Sequence, residues 1–180
     1  MSVLASNAGL AVETAAIRYA TGDCSLGSIL VAQSEAGVCA ILLGDEPRRL
    51  AAELRGVFPG ATPVADDDGA FDEIMAQVVR FVEAPGAGLD LPLDVRGTSF
   101  QRQVWEALRE IPAGKTASYS DIAQRIGAPK EAYAVGEACA ANVIAVAIPC
   151  HRVVRKDGTL AGYRWGVARK RVLLDREASA

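Results

Sequence analysis

The spacing of apolar residues changes near Thr98, and this change constrains the fold more than any other feature of the chain. Before this residue, short apolar runs alternate with turn residues, which is typical of strands. After it, apolar residues recur at helical spacing between Gly and Pro breaks. The sequence therefore predicts an α+β protein, in which a small mixed β-sheet domain with helices (residues 1–95) precedes a helical domain (residues 96–180).

The first part of the chain is predicted to form a small sheet with helices packed on it. Turn residues bound its apolar runs, and Gly22-Asp23 is expected to be the first turn. Two longer segments have apolar residues at helical spacing, and a Pro-Gly pair ends each of them. We predict strands over residues 16–20, 28–32, 38–43 and 91–95, and helices over residues 46–58 and 71–83. Residues 1–14 lack a basic residue and a clear apolar block, so we expect a loose tail and not a signal peptide.

The second part has the outline of a helix-turn-helix. Residues 98–101 open a helix that carries Val104, Trp105 and Leu108 on one face. Further on, residues 118–121 cap a short helix over 122–126, Gly127-Ala128-Pro129 breaks it, and a helix follows over 130–142. Two short helices joined by a Gly-containing turn are typical of the helix-turn-helix motif.

Cys150 and His151 are adjacent, and His151 is the only histidine in the chain. A free cysteine has a pKa of roughly 8.5, so it needs a base or an electropositive pocket to react at neutral pH. His151 is the one imidazole available for this purpose. Neighbours on an extended strand point in opposite directions, so the pair needs a bend, which Pro149 favours. The alternative for these two residues alone is a core cysteine beside a surface histidine.

Composition narrows the class of protein. The chain is 51% hydrophobic but has no apolar run long enough to span a membrane. Four cysteines without a close pair, together with a single histidine, argue against a disulfide framework or a zinc site and favour the cytoplasm. Residues 1–98 carry 6 Lys and Arg against 14 Asp and Glu, whereas residues 99–180 carry 13 against 8. The basic second part can face phosphates, unless the surface charge is merely uneven.

Several strings in the chain match one protein family. They are Gly97-Thr98-Ser99-Phe100-Gln101, Val104-Trp105, Ile111-Pro112-Ala113-Gly114-Lys115-Thr116, Ser118-Tyr119, Pro149-Cys150-His151-Arg152-Val153-Val154 and Gly162-Tyr163. With these strings the chain resembles the O6-alkylguanine-DNA alkyltransferases, and most of all the alkylguanine-repairing part of the bacterial adaptive-response proteins. The likeness covers roughly residues 15 to 178, and its most specific part is the Pro-Cys-His-Arg-Val string.

The resemblance implies a fold and an activity. The fold would be a ribonuclease H-like sheet domain followed by a winged helix-turn-helix domain. The activity would be that of a methylated-DNA–[protein]-cysteine S-methyltransferase, which moves an alkyl group from O6 of guanine in double-stranded DNA to its own cysteine, once per molecule. We expect no cofactor, no metal and no membrane contact, and a monomer in the bacterial cytoplasm.

The resemblance also implies roles for five residues. Cys150 would be the nucleophile, and His151 would activate it through an ordered water while Glu177 orients the relay. A carboxylate beside the imidazole favours the imidazolium, which stabilises a thiolate. Asn142 would tie the recognition helix to the active-site segment, although its position also suits a helix C-cap. Tyr119 would push the target phosphate and help to protonate the leaving guanine.

The remaining implied residues form a base pocket and a DNA-binding surface. A base inside a duplex cannot be attacked in place, so it must rotate out of the stack into a pocket. The implied pocket residues are Tyr119, Cys139, Val153, Tyr163, Arg164 and Trp165. The implied DNA-binding residues are Gln101, Tyr119, Ser120, Lys130, Ala132, Tyr133 and Lys156. Some relatives have glycine at the position of Trp165, so we expect its bulk to narrow the entrance and favour small alkyl groups. The alanines of the helix over 130–142 suit the narrow minor groove, but alanine also simply favours helices.

The chain departs from the family pattern in this same helix. The family has an arginine at the position of Tyr133, where it fills the gap left by the flipped base. Glu131 and Glu137 add negative charge nearby, which opposes the approach of phosphates. A second hypothesis is therefore a self-labelling protein or small-molecule alkyl acceptor with weakened DNA binding, whether natural or engineered, that reacts with free O6-alkylguanine compounds. A damage-binding protein without chemistry is disfavoured by Cys150, and a plain helix-turn-helix regulator by the lack of a basic face on the second helix.

Overall fold

The computed structural model describes residues 16–180, and the predicted tail over residues 1–14 lies outside this range. Residues 18–95, called the sheet unit below, contain a four-stranded sheet in the order β3-β2-β1-β4. The strands β1 and β2 and the strands β2 and β3 pair antiparallel, whereas β4 runs parallel to β1. The elements are β1 (Arg18–Cys24), β2 (Gly27–Ser34), β3 (Gly37–Gly44), α1 (Pro47–Val57), β4 (Val64–Ala65) and α2 (Asp72–Glu83).

Two helices pack on this sheet, and its most buried strands are β2 and β3. The helix α1 packs on β2 and β3, and its two buried side chains are Leu50 and Leu54, one helical turn apart. The helix α2 packs on β1 and buries Val78, Phe81 and Val82. Nearly every residue of β3 is buried, because the segments around Leu93 and Ile144 also pair with it, and this burial explains its continuous apolar sequence.

Residues 99–178, called the helical unit below, pack three helices against one another and add a small parallel strand pair. Its elements are α3 (Ser99–Arg109), β5 (Ala117–Ser118), α4 (Tyr119–Arg125), α5 (Ala132–Ala141), β6 (Val153–Val154) and α6 (Val167–Ala178). The helices α3, α4 and α5 contact each other, and β5 pairs with β6. Capping boxes fix the starts of two helices: Thr98 with Gln101 begins α3, and Ser118 with Asp121 begins α4.

The two units are joined through the edge of the sheet. Ile41 of β3 donates a main-chain hydrogen bond to the carbonyl of Val143 at 2.9 Å and accepts one from the amide of Ala145 at 3.0 Å. The segment after α5 therefore covers part of the edge strand β3. From α6, Arg169 donates to the carbonyl of Leu26 at 2.8 Å, and Arg176 donates to that of Val82 at 2.7 Å.

The structure corrects the sequence prediction at both ends of the sheet unit. Gly22 and Asp23 do not form a turn, because β1 continues through them and pairs Cys24 with Gly27. Gly27 has a φ of 114°, and a Cβ there would lie 2.5 Å from the carbonyl oxygen of Gly44, so the turn needs glycine at this later point. The predicted strand over 91–95 forms only a single bridge, between Leu93 and Val38.

The helical unit shows smaller differences. The short helix begins at Tyr119, three residues before the predicted start, because Ser118 is its N-cap. The next helix is shorter than predicted and spans Ala132–Ala141. The strands β4, β5 and β6 and the helix α6 were not predicted. Within residues 16–180, no helix has the length and apolar character required to cross a membrane.

Candidate active site

The end of α5 and the turn that carries Cys150 are held together by Asn142. Its side-chain amide donates to the carbonyl of Ile148 at 3.0 Å and to Sγ of Cys150 at 3.3 Å, and its Oδ1 accepts from the amide of Ile144 at 2.9 Å. Asn142 is fully buried and is also the C-cap of α5. The two alternatives for this residue are therefore compatible, since it caps the helix and ties it to the cysteine.

The segment between Asn142 and Cys150 has one strained residue. Val146 has a φ of 61°, a conformation that a β-branched side chain rarely adopts. Such a residue costs of the order of 1–3 kcal/mol and persists only where its surroundings hold it in place. The bonds of Asn142 and the pairing of Ile41 with the residues on either side of Ile144 provide this restraint.

His151, Arg152 and Glu177 form a buried network behind the cysteine. Pro149 is followed by a 3-10 turn, Cys150–Arg152, which provides the bend that the sequence predicts. Nε2 of His151 lies 2.7 Å from Oε1 of Glu177, and Arg152 donates to both oxygens of that carboxylate at 2.9 Å. Arg152 also donates to the carbonyl of Ile111 at 2.6 Å. Because an ionised carboxylate only accepts, Nε2 of His151 carries the proton and Nδ1 is left as the basic nitrogen.

The protonation states follow from burial and from these bonds. Burial alone would raise the pKa of Glu177, but hydrogen bonds from His151 and Arg152 outweigh it and lower the pKa to about 2. Burial lowers the pKa of His151 below its ordinary value, against the opposing effect of Glu177. Burial raises the pKa of Cys150 to about 11, although the bond from Asn142 acts in the other direction. At neutral pH the site therefore holds a thiol and, on the next residue of the chain, a neutral imidazole, which corrects the expectation that an imidazolium stabilises a thiolate. Nδ1 of His151 is buried and makes no direct hydrogen bond to the sulfur.

Lys170 is a second buried cation in this region. It is fully buried, and its Nζ donates to the carbonyl of Val153 at 2.6 Å. Burial lowers the pKa of Lys170, and its positive charge lowers that of Cys150. Lys170 therefore favours the appearance of negative charge on the sulfur.

Cys150 lines a cavity of 350 Å³. This volume is within the range of roughly 300–1,000 Å³ that is usual for small-molecule sites. Cys139, Gly136 and Ala140 of α5 form one wall, Gly162, Tyr163 and Arg164 form another, and Tyr119 completes the lining. Burial raises the pKa of Tyr119 to about 12 and that of Tyr163 well above its ordinary value, so both phenols stay protonated and can donate hydrogen bonds.

A larger cavity of 710 Å³ lies where the two units meet. Its lining includes Phe58, Trp105, Asn142 and Arg164, but not Cys150. The smaller cavity is the candidate site, because it contains Cys150, the candidate nucleophile.

Comparison with known proteins agrees with this geometry. A family model for the DNA binding domain of 6-O-methylguanine DNA methyltransferase matches residues 99–179, and a model for its ribonuclease-like domain matches residues 17–95. The chain is 46% identical over 121 residues to a methylated-DNA–protein-cysteine methyltransferase of Mycobacterium tuberculosis, a match that covers 67% of this chain and 73% of that protein. The chain belongs to the 6-O-methylguanine DNA methyltransferase family.

Two further similarities fit this family. The chain is 55% identical over 166 residues to the bifunctional transcriptional activator/DNA repair enzyme Ada of Escherichia coli, and the match covers 92% of this chain and 47% of that protein. The chain thus spans about half the length of this Ada protein and of the regulatory protein ada of Salmonella typhimurium. The crystal structure of Mycobacterium tuberculosis OGT in complex with DNA superposes with a TM-score of 0.73 and 38% identity, over 90% of this chain and 93% of that one.

Most of the pocket residues expected from the methyltransferase family lie around one cavity. Tyr119, Cys139, Tyr163 and Arg164 line it together with Cys150. Val153 and Trp165 do not line it, which corrects their assignment. The side chain of Val153 is fully buried in β6. Trp165 is buried behind Tyr163, with the two ring centroids 5.2 Å apart.

The residues expected to bind DNA are divided between exposed and half-buried positions. Lys130, Tyr133 and Lys156 are exposed, and Tyr119, Ser120 and Ala132 are half-buried. The side chain of Gln101 closes the capping box of α3 and lines the larger cavity, so its carbonyl oxygen is already bonded to the main chain of Thr98.

Arg152 and Lys170 are the site residues that the sequence analysis missed. A signal existed for each of them. Arg152 is part of the Pro-Cys-His-Arg string, and Lys170 shares one helical face with Leu173 and Glu177, all three of which are buried.

Proposed function

We propose that the chain repairs O6-alkylguanine in double-stranded DNA by transferring the alkyl group to Cys150. The observation that carries the proposal is the cavity that contains the Cys150 thiol, with the buried, neutral His151 next to it in the chain and Glu177 bonded to that imidazole. The names of the relatives in Escherichia coli and Mycobacterium tuberculosis, and the DNA complex of the latter, support the same activity.

The cavity suits a base that has left the duplex. Since O6 of a stacked guanine is out of reach, the nucleotide must rotate outward, and α5 is the element proposed to enter the minor groove. The residues of this helix that line the cavity are small, namely Gly136, Cys139 and Ala140. Tyr119 begins α4 and is proposed to act both on the target phosphate and on the base.

The proposed reaction uses the resting protonation states. His151 accepts the thiol proton at Nδ1 through an ordered water, while its Nε2 proton remains bonded to Glu177. The sulfur of Cys150 then forms a bond to the alkyl carbon as the bond between that carbon and O6 breaks. The electron pair stays on the guanine, which takes a proton from Tyr119 as it leaves. Because burial raises the pKa of Tyr119 to about 12 and lowers that of His151, the phenolate then recovers a proton from solvent and the imidazolium releases one to it. Asn142 and Lys170 stabilise the negative charge on the sulfur before attack.

The reaction is proposed to occur once per chain. The product is a thioether, which is a poor leaving group, and none of the residues that line the cavity is suited to removing it. Repeated turnover with excess substrate would contradict this part of the proposal.

Intact mass spectrometry tests the proposed function directly. The protein is mixed with a duplex that carries O6-methylguanine and, separately, with the free base O6-methylguanine. We expect one added methyl group per chain, on Cys150, and none with an undamaged duplex or with Cys150→Ala. The absence of methylation by the damaged duplex would overturn the proposal.

The same experiment addresses a second candidate, a small-molecule alkyl acceptor or self-labelling protein that binds DNA weakly. Tyr133 on α5 is 82% exposed and replaces the family arginine, and Glu131 and Glu137 are exposed on or beside the same helix. Transfer from the free base that equals or exceeds transfer from DNA would favour this candidate.

We further propose that residues 1–95 and 96–180 are separate domains and that the chain acts as a monomer in the bacterial cytoplasm. The two family matches end and begin on either side of residues 96–98, which supports this boundary. All four cysteines are unpaired, which supports a reducing compartment.

A further inference from the structure

Arg164 is the one charged residue that lines the cavity around Cys150 and also the larger cavity between the units. Its Nη1 donates to the carbonyl of Ala140 at 3.3 Å. Its Nε donates to Oε1 of Glu53 at 3.2 Å, and its Nη2 lies at the same distance from that oxygen. Glu53 belongs to α1 of the sheet unit, 111 positions earlier in the chain.

These contacts connect the opposing walls of the base cavity. Arg164 belongs to the wall formed by residues 162–164, and Ala140 belongs to the α5 wall. The bond between them fixes the distance between the walls on the side of the cavity that faces the sheet unit. The guanidinium is 28% exposed and Glu53 is 33% exposed, so the ion pair is partly screened by water and can open.

We propose that Glu53 acts through Arg164 as a positioning residue that limits the size of the alkyl group transferred to Cys150. This inference rests on the proposed function. A methyl group needs little room beside the sulfur, whereas a benzyl group requires the walls to separate and the bond from Arg164 to Ala140 to break. Glu53 opposes this separation, because its carboxylate binds Nε and Nη2 of Arg164 while Nη1 binds the carbonyl of Ala140. Size selection is thereby assigned to Arg164 and Glu53, in addition to the buried Trp165, which packs against the lining residue Tyr163.

The test compares two substrates in the full chain. Rates of alkylation of Cys150 are measured by intact mass with matched duplexes that carry O6-methylguanine or O6-benzylguanine. For Glu53→Gln we expect the ratio of the benzyl rate to the methyl rate to rise roughly two- to five-fold, the range expected for loss of a partly exposed ion pair. The matched control is Glu46→Gln, at the start of α1, whose ion pair with Arg49 stays within that helix. It should leave the ratio unchanged.

A double-mutant cycle separates this role from a merely structural one. Arg164→Met should raise the ratio at least as much as Glu53→Gln, and adding Glu53→Gln to Arg164→Met should change it no further. An unchanged ratio in Glu53→Gln, an equal loss of both rates, or full additivity in the double variant would overturn the inference. If the unsubstituted protein transfers neither group, both this inference and the proposed function fail. Transfer with an unchanged ratio overturns the inference alone.

Discussion

The sheet unit and the helical unit differ in what they bury. The core of the sheet unit is largely apolar, and its buried polar side chains are the hydroxyls of Ser28 and Ser34 and the carboxylate of Asp66, which pairs with the partly exposed Arg18. The helical unit buries one further hydroxyl and a cluster of amide and ionisable groups, namely Ser118, Asn142, His151, Arg152, Lys170 and Glu177. Buried charges destabilise a fold unless they are well paired, and strongly perturbed groups gather where chemistry occurs. The comparison indicates that the apolar core of the sheet unit stabilises the fold, whereas the helical unit buries costly polar and charged groups around the thiol of Cys150.

The two units can also be compared through one cysteine of each, Cys39 in the sheet unit and Cys150 in the helical unit. Burial raises the pKa of Cys39, in β3, to about 11, and it raises that of Cys150 to about 11 as well. A lowered thiol pKa therefore does not distinguish the nucleophile. What distinguishes Cys150 is the bond from Asn142 and the imidazole on the next residue, because Cys39 also lines a cavity, the larger one between the units.

The largest effect is expected from the replacement of Cys150 by alanine. Cys150→Ala should abolish alkyl transfer from O6-methylguanine in DNA, because no other thiol combines a base with access to the cavity. Cys39→Ala is the matched control and should react at nearly the parent rate. Peptide mapping after reaction checks both variants. Methylation that persists in Cys150→Ala would show that another residue is the nucleophile.

The next largest effect concerns the base. His151→Gln, which keeps much of the side-chain volume, should slow transfer about 10²–10⁴-fold, since general acid–base assistance has this size. The pKa of His151 is lowered by burial, so the parent rate should stay constant above neutral pH and fall only below the ordinary titration range of histidine. Single-turnover rates between pH 5 and 9 measure this, with thermal melting as the check on folding. An unchanged rate in the variant would refute the relay.

Stability in acid should depend on the buried network around Glu177. The lowered pKa values of Glu83 and Asp94 in the sheet unit act in the same direction, but these two carboxylates are far less buried. The pKa of Glu177 falls from 4.5 to about 2 on folding, so its contribution is present above about pH 4.5 and is lost as pH falls toward 2. This amounts to about 3 kcal/mol. The lowered pKa of His151 acts in the same direction, because the unfolded chain takes up its proton first as pH falls below 6.5.

Denaturant unfolding of Glu177→Gln tests this dependence. The variant should be less stable by about 3–5 kcal/mol at pH 7, because Arg152 loses its charged partner. Its stability should also change less than that of the parent between pH 5 and 3. Asp175→Asn, an exposed carboxylate on the same helix, serves as the control and should keep the parent profile. A parent-like acid slope in Glu177→Gln would contradict the assignment.

The smallest effect concerns DNA. Tyr133→Arg should tighten duplex binding and speed repair of DNA. It should also steepen the slope of the logarithm of the binding constant against the logarithm of salt concentration by about one unit, which corresponds to one phosphate contact. It should barely change reaction with the free base, which needs no rotation out of a stack. Binding and transfer at two salt concentrations measure this. Equal effects on both substrates would show that Tyr133 acts through the pocket or through folding, and that α5 does not read DNA.

The features that the residues alone predicted depend on neighbours in the chain, whereas the pairing of His151 with Glu177, 26 positions away, was expected only from the family resemblance. The start of α3 followed from Thr98 and Gln101, and the Cys150–His151 pair from adjacency. The features that the sequence analysis missed depend on distant partners. Arg152 bonds to Glu177, 25 positions away, and Lys170 to the carbonyl of Val153, 17 positions away. The same holds for β4, a two-residue strand that exists only because it pairs with β1.

The contact between Ile41 and the segment around Ile144 gives the two units a main-chain interface that does not depend on the continuity of the chain. A protein cleaved at residues 96–98 would keep this pairing, as a peptide does when it adds a strand to an exposed sheet edge. Arg169 and Arg176 would reinforce it through the carbonyls they hold in the sheet unit. Because the pairing restrains the segment that leads to Cys150, labelling of this thiol would report fragment reassembly. Its rate would then depend on the concentrations of both fragments, as in a split-protein proximity sensor.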